Sequence, residues 1–189
     1  MASIEDLKSL ISSKGGASRS NLFKVDLPPL AGVTKEELNI ICRDVQLPGR
    51  QILTRERIIG LQTRKIAYGF AQEDVSITFL LLNDYGAKRY FEVWQNLAIN
   101  QQTFEIGYKK DYSRPVSIYQ LDQLGRTVYK CDLLEAFPTT INTIPLNNEE
   151  NGLVEVNVQL SYTNWVPTFY ENPAPTVTPN RVYIPNAEF

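Results

Sequence analysis

Alternation of apolar and polar side chains is the strongest signal in this chain. Residues 152–162 place Val154, Val156, Val158, Leu160 and Tyr162 against Glu155, Asn157, Gln159 and Ser161, the two-residue period of a strand with one buried face. Residues 74–82 do the same with Val75, Ile77, Phe79 and Leu81. In residues 21–27, Phe23, Val25 and Leu27 alternate with Leu22, Lys24 and Asp26 until Pro28 and Pro29 end the ladder. Residues 37–45 repeat the pattern with Leu38, Ile40 and Cys42 and predict a strand closed by the turn Leu47-Pro48-Gly49. Residues 116–121 and 126–137 predict a hairpin across residues 123–125, with Tyr129, Cys131 and Leu133 on one face.

The period becomes helical over residues 84–98, where Ala87, Tyr90/Phe91, Trp94 and Leu97/Ala98 recur at three and four behind an Asn83-Asp84 cap. This predicts one substantial helix, packed on the sheet with Trp94 in the core. A shorter amphipathic helix is predicted over residues 3–13, with Ser3 as cap and Ile4, Leu7 and Leu10/Ile11 on one side. KGGASRS at residues 14–20 breaks it. Residues 99–114 are polar and irregular, and Lys109-Lys110-Asp111 reads as a solvated loop.

Residues 50–68 predict a hairpin around Gly60 in which neither face alternates cleanly. Arg50, Arg55, Arg57, Arg64 and Lys65 stand against Glu56 alone, interleaved with Ile52, Ile58, Ile59, Leu61 and Ile66. Two readings compete. Charges on an edge hairpin block unwanted pairing. Large aliphatic side chains, however, are each stabilised by about 1.5–3 kcal/mol on full burial. Ile52, Ile58, Ile59 and Leu61 therefore favour an element that neighbouring subunits cover.

After Trp165 the composition shifts. Five of the eleven prolines, Pro167, Pro173, Pro175, Pro179 and Pro185, fall there, which favours an extended arm over a packed element. Trp165, Phe169, Tyr170, Tyr183 and Phe189 give that arm aromatic anchors for a neighbouring surface. The expected organisation is an N-terminal helical arm over residues 1–18, a β domain over 19–165 and a Pro-rich C-terminal arm over 166–189.

Charge and chemistry narrow the function. The formal net charge is −2, without the bulk basic footprint of a phosphate-neutralising protein. Histidine is absent, removing the commonest general base and metal ligand. Cys42 and Cys131 sit in apolar, alternating contexts without ligand spacing and read as buried thiols in a reducing compartment. Asp74, Asp84, Asp111, Asp122 and Asp132 offer carboxylates, but no spacing fixes two of them together. Phosphate-loop, dinucleotide and zinc motifs are missing. The expectation is a protein that is not an enzyme and has no catalytic, cofactor or metal residues. The acidic start of the chain does not read as a secretory leader, and no stretch approaches the ~20 apolar residues of a membrane span, so no membrane partner is expected.

In order, RSNLFKVDL at residues 19–27, the LPG turn, RKI at 64–66, EDVSITFLLLNDYGAKRYFEVWQ at 73–95, FPT at 137–139 and VEVNVQLSYTNW at 154–165 resemble the tail tube family of contractile bacteriophages. The resemblance implies a mainly β, β-sandwich or barrel-like tube subunit with one packed α-helix and a long protruding β-hairpin. It further implies hexameric rings that stack, the hairpins joining into a β-lined conduit for DNA ejection. Implied partners are the chain itself, sheath, tape-measure and baseplate proteins, and genomic DNA passing without sequence-specific binding. The implied location is the virion tail, assembled in the host cytoplasm. Arg50, Ile52, Arg55, Arg57, Ile58, Ile59, Leu61, Arg64, Lys65 and Ile66, with Trp165, Phe169 and Tyr170, form the expected subunit interface. Alternatives are a baseplate tube-initiator ring, the inner tube of a contractile injection system, or a monomeric β-sandwich that binds a ligand.

Overall fold

Along the chain run α1 (Ile4–Ser13), β1 (Phe23–Asp26), α2 (Lys35–Ile41), β2 (Cys42–Val45), β3 (Arg50–Ile59), β4 (Gln62–Gln72), β5 (Val75–Leu80), α3 (Gly86–Ala98), α4 (Lys109–Tyr112), β6 (Arg114–Leu121), β7 (Thr127–Ile141), β8 (Glu155–Ser161) and β9 (Asn164–Phe169). The computed structural model describes residues 3–30, 32–59, 62–148 and 152–170.

The strictly alternating segments become neighbours: β5 pairs β8 antiparallel from Val75↔Leu160 to Leu80↔Glu155. The sheet order is β1-β6-β7-β8-β5-β2, with β9 also on β7. The long β7 serves two half-sheets. Its first part pairs β6 and β9, and its end, from Phe137 to Ile141, pairs β8. At the junction the register slips between Arg114 and Val116, and Glu135 adopts φ 53°, a bulge that lets one strand turn from one half-sheet to the other. Val25, Ile118, Cys131 and Leu133 from one half join Ile77, Phe79, Val156 and Leu160 from the other, and α3 contributes Ala87, Tyr90, Phe91 and Trp94 to the same core. The fold is thus mainly β and antiparallel, with one main helix, α3, packed in its core.

Helix α3 is fixed by its aromatic face. The Tyr90 hydroxyl donates to the Pro28 carbonyl at 2.5 Å, and Trp94 Nε1 donates to the Tyr112 carbonyl at 2.6 Å, so both buried polar tips are satisfied. The helix starts later than expected. Tyr85, at φ 52°, is its N-cap, and Asp84 Oδ1 accepts from the Gly86 N–H at 3.2 Å instead of capping a turn further back.

Three segments differ from the sequence expectation. Residues 37–45 are a helix followed by a strand. Thr34 Oγ1 accepts from Glu37 N at 3.3 Å while Glu37 Oε2 accepts from Thr34 N at 3.0 Å, and this capping box starts α2. The three-residue spacing of buried Leu38 and core-packed Ile41 prevails over the two-residue spacing, leaving Ile40 exposed. Lys109-Lys110-Asp111 winds into α4, with Lys109 bonded to Glu135 at 2.7 Å. Finally, the chain does not leave the sheet at Trp165: β9 pairs β7 from Leu134↔Asn164 to Tyr129↔Phe169. Pro167 is tolerated because β9 is an edge strand, paired only with β7. The rest of the expected arm, residues 171–189, lies outside the described residues. Helix α1 carries the expected Ser3 cap, and none of its residues is buried.

Candidate assembly surface

Strands β3 and β4 form a two-stranded sheet of their own. Their register runs from Arg50↔Gln72 to Ile59↔Gln62 and shifts between Leu53 and Thr54, where Tyr68 has no opposite residue. Residues directly opposite in an antiparallel pair share a face, and successive residues alternate between faces. One face therefore carries Arg50 with Gln72, Ile52 with Phe70, Thr54 with Ala67, Glu56 with Lys65 and Ile58 with Thr63. The other carries Leu53 with Gly69, Arg55 with Ile66 and Arg57 with Arg64. What reads in sequence as poor alternation is a hairpin whose faces are both mixed and are put out of step by one bulge: Ile52, Ile58 and Phe70 share the first, the more apolar face, with Arg50, Glu56 and Lys65, and Arg55, Arg57 and Arg64 share the second with Leu53 and Ile66.

The apolar face is uncovered: Ile52 is 64%, Ile58 75% and Phe70 59% exposed. Side chains of that size in water on an isolated hairpin are the signature of a surface that associates. The Ile59 side chain, Gly60 and Leu61 lie outside the described residues, so the expected roles of Ile59 and Leu61 have no structural counterpart here.

The hairpin base is tied to the domain at β9. Arg50 Nη2 and Gln72 Nε2 both donate to Asn164 Oδ1 at 3.2 Å. The Arg50 guanidinium lies 5.1 Å from the ring centre of Phe70 and 5.1 Å from that of Trp165, within cation–π range of both. Nearby, the Tyr162 hydroxyl donates to the Glu73 carbonyl at 2.9 Å. Trp165 itself is half-buried, and its indole Nε1 is enclosed with no acceptor among the described residues. Phe169 is exposed with its ring 5.2 Å from that of Tyr129, and the Tyr170 N–H donates to the Val128 carbonyl at 3.1 Å.

The structure thus brings Arg50 and Trp165 together, puts Arg55, Arg57, Arg64 and Ile66 on one hairpin face, and puts Ile52, Ile58 and Lys65 on the other. Phe169 and Tyr170 stand apart on β9 and its end. Phe70, Gln72 and Asn164 belong to this surface and were missed. Phe70 was legible as an aromatic continuing the second strand past Tyr68. The Asn164 contact, 114 positions from Arg50, has no local sequence signal.

Several other titratable groups are engaged within the domain. Burial pushes the Cys42 thiol up to about 12 and the Cys131 thiol up to about 11, so neither is a ready nucleophile. Asp122 pairs with Arg126 at 2.7 Å, Asp132 with Lys130 at 2.9 Å, and Asp74 accepts from the Thr139 hydroxyl at 3.1 Å. Among the described residues no three His, Cys, Asp or Glu side chains cluster to hold a metal, and no helix is long and apolar enough to cross a membrane.

The fold has counterparts among contractile injection system proteins. It is similar to a subunit of the anti-feeding prophage tube-terminating cap (TM-score 0.63, 12% identity, 82% of this chain and 92% of that one). It is also similar to one of the anti-feeding prophage baseplate (0.61, 14%, 81% and 96%) and to one of the extended sheath-tube complex of the PVC extracellular contractile injection system (0.60, 14%, 86% and 97%). No curated protein matches. Residues 18–168 match the phage tail tube protein family, and the chain belongs to it. It is a structural, tail tube-like protein, and the family implies a component of the virion tail.

Proposed function

We propose that this chain assembles into hexameric rings that stack into the inner tube of a contractile phage tail, forming the conduit for DNA ejection. Sheath and baseplate proteins bound the tube outside, and the tape-measure protein and genome occupy it. The supporting observation is the hairpin β3–β4, whose outer edges pair with no other strand among the described residues and whose Ile52, Ile58 and Phe70 are exposed. An unpaired edge is a template for another chain. Neighbouring hairpins that pair there satisfy the edge amides and cover the aliphatic side chains together.

The ordering of such a hairpin depends on those neighbours, because a two-stranded hairpin is marginal alone in water. A free subunit then stays soluble until a baseplate ring presents its edge. Residues 171–189 dock on an adjacent subunit or ring through Tyr183 and Phe189. Truncation after Tyr170, which leaves β9 whole, weakens assembly and spares the fold.

Negative-stain microscopy and mass photometry of the purified chain test the reading. Six-fold rings or tubes are expected, with tryptic cleavage after Arg55, Arg57 or Arg64 fast in the monomer and blocked in the ring. A monomer at every concentration and salt would overturn it and favour a ligand-binding sandwich.

A further inference from the structure

We propose that helix α1 of one subunit docks on the more apolar face of the β3–β4 hairpin of a second copy of this chain, covering Ile52 and Phe70 with Leu7, Leu10 and Ile11. The proposal rests on the tube reading above and names the segment that the hairpin receives.

Helix α1 is capped at both ends and yet unsupported. The Ser3–Asp6 capping box closes its start. Its end is closed by Gly16, at φ 115°, whose N–H donates to the Ile11 carbonyl at 2.9 Å. Ile4, Leu7, Leu10 and Ile11 recur at three and four along one side. All four are exposed, and no residue of the helix is buried. A helix of 10 residues is marginal in water unless its apolar side is packed, so this side requires a cover.

Ile52, Ile58 and Phe70 on the hairpin are exposed as well. Pairing hairpins edge to edge shields their face from the sides only, and a second layer packed on top removes it from water. Within one subunit the two elements are attached at different places. A side chain at Gly16 would begin 3.3 Å from the amide nitrogen of Gln123, in the β6–β7 turn, so α1 departs beside that turn. The hairpin base is bonded to Asn164, which stands opposite Leu134. From Thr127 to Leu134 the chain advances seven residues along β7, about 24 Å at strand rise. A patch and its complement at separate places on one subunit meet head to tail, the geometry that closes rings or extends stacks.

Size and charge favour α1 over the other available covers. Ile4 to Ile11 spans about 10 Å of helix, within the roughly 20 Å from Ile52 to Ile58 along β3. The small pair Thr54 and Ala67 lies between these on the same face and leaves room for a helix. Helix α1 holds Glu5 and Asp6 against Lys8, whereas the hairpin holds Arg50, Arg55, Arg57, Arg64 and Lys65 against Glu56, so the two elements carry opposite net charge. A second hairpin laid on the same face would instead bring one net positive face onto another. Loop 99–107 also exposes Phe104 and Ile106, but its own bonds hold it: Phe104 N–H donates to the Asn100 carbonyl at 2.8 Å and Gly107 N–H to the Ala98 carbonyl at 2.9 Å. That loop keeps its shape without a cover, and α1 does not.

The test uses full-length chains with one added cysteine each. Leu7→Cys and Ile52→Cys chains are mixed, assembled, and treated with a short flexible bis-maleimide, with wild type as the control for Cys42 and Cys131. Covalent dimers are expected from the mixture and far fewer from either variant alone. In parallel, Leu7→Gln with Leu10→Gln keeps helix propensity. It is expected to leave the melting curve of the domain unchanged and to raise the concentration at which rings appear by about tenfold. Ser9→Gln, on the opposite side of α1, is expected to leave that concentration unchanged. Assembled mixtures with no dimer above the wild-type control, or a glutamine variant that assembles at the wild-type concentration, overturn the proposal and leave the tube reading standing. So does an Ile52→Cys chain that joins Phe104→Cys in place of Leu7→Cys, which assigns the face to loop 99–107. Wild type that forms no rings or tubes is a separate result: it removes the tube reading itself and this docking with it.

Discussion

The Arg50 guanidinium lies 5.1 Å from the ring centre of Trp165, joining the first residue of the hairpin to the last strand of the domain. Phe70 is on its other flank at 5.1 Å, and Asn164 accepts from it at 3.2 Å. Arg50 thus ties the base of the hairpin to β9 alongside Gln72, which donates to the same Asn164 oxygen. An exposed cation–π contact contributes about 0.5–1 kcal/mol, and a hydrogen bond about 0.5–1.5 kcal/mol net. Arg50→Ala is therefore expected to leave the melting temperature of the domain nearly unchanged and to speed tryptic cleavage at Arg55, Arg57 and Arg64 in the free subunit several-fold. Arg50→Lys, which lacks the planar fork, falls between the two. An unchanged cleavage rate in the alanine variant would show that the Gln72–Asn164 bond and the backbone hold the hairpin base without Arg50.

Trp165 carries a second, separable feature. Its enclosed indole N–H has no acceptor among the described residues, and an unsatisfied buried donor costs about 1–3 kcal/mol. Trp165→Phe keeps a ring for Arg50 and removes the donor. The isolated subunit is expected to melt at the same or a higher temperature, whereas Trp165→Ala lowers it through lost packing. A clear drop for the phenylalanine variant in urea titration would mean that the packing lost with the larger ring outweighs the relief of the unpaired donor.

The contrast between Arg50 and the core shows which information the sequence carries locally. Val75 to Leu80 and Glu155 to Ser161 were legible because a buried strand face repeats every second residue, and Trp94 was legible because a helix face repeats at three and four. Leu38 was misread because Leu38, Ile40 and Cys42 fit the strand period, while the deciding signal was the Thr34–Glu37 capping box just upstream. Residues 166–169 were misread because proline count was weighed against strand formation, although an edge strand accepts Pro167. Which hairpin residues share a face is hidden from a simple count, because the bulge at Tyr68 shifts the register. Asn164 lay beyond any local reading: its role exists only once β9 lies beside the hairpin base.

Glu135 gives a pH-dependent test of the bend in β7. Its carboxylate accepts from Lys109 Nζ at 2.7 Å and from the Thr163 hydroxyl at 2.6 Å. These bonds, that from Lys109 foremost, hold its pKa below the ordinary glutamate value. A carboxylate whose pKa is lowered on folding contributes stability above its unfolded value and loses it as pH falls through the lowered folded value. The melting temperature of wild type is therefore expected to exceed that of Glu135→Gln at neutral pH. The gap closes as pH falls from the ordinary glutamate range through the lowered one. A gap that persists below that range would assign the effect to side-chain hydrogen bonding or packing at residue 135 that does not depend on the charge.

The apolar hairpin face makes the sharpest demand on the assembly reading. Ile52 and Phe70 are opposite one another, 64% and 59% exposed, so the isolated domain loses little when they become polar. In a ring that covers them, each exposed large side chain removed from water is worth up to about 1.5–3 kcal/mol. Partial exposure in the subunit and residual exposure in the ring reduce that, and roughly 1–2 kcal/mol per residue remains from the same area relation. Each 1.4 kcal/mol is about tenfold in an association constant. Ile52→Ser with Phe70→Ser is thus expected to keep the wild-type melting curve and to raise the concentration at which rings appear in mass photometry by about thirtyfold to several-hundredfold. Lys65→Gln on the same face, removing only a charge opposite Glu56, is expected to shift it by a few-fold at most. If the double serine variant assembles at the wild-type concentration, the apolar face is not what the neighbouring subunit covers, and the association runs through strand edges instead, those of β1, β2, β9 or the hairpin itself.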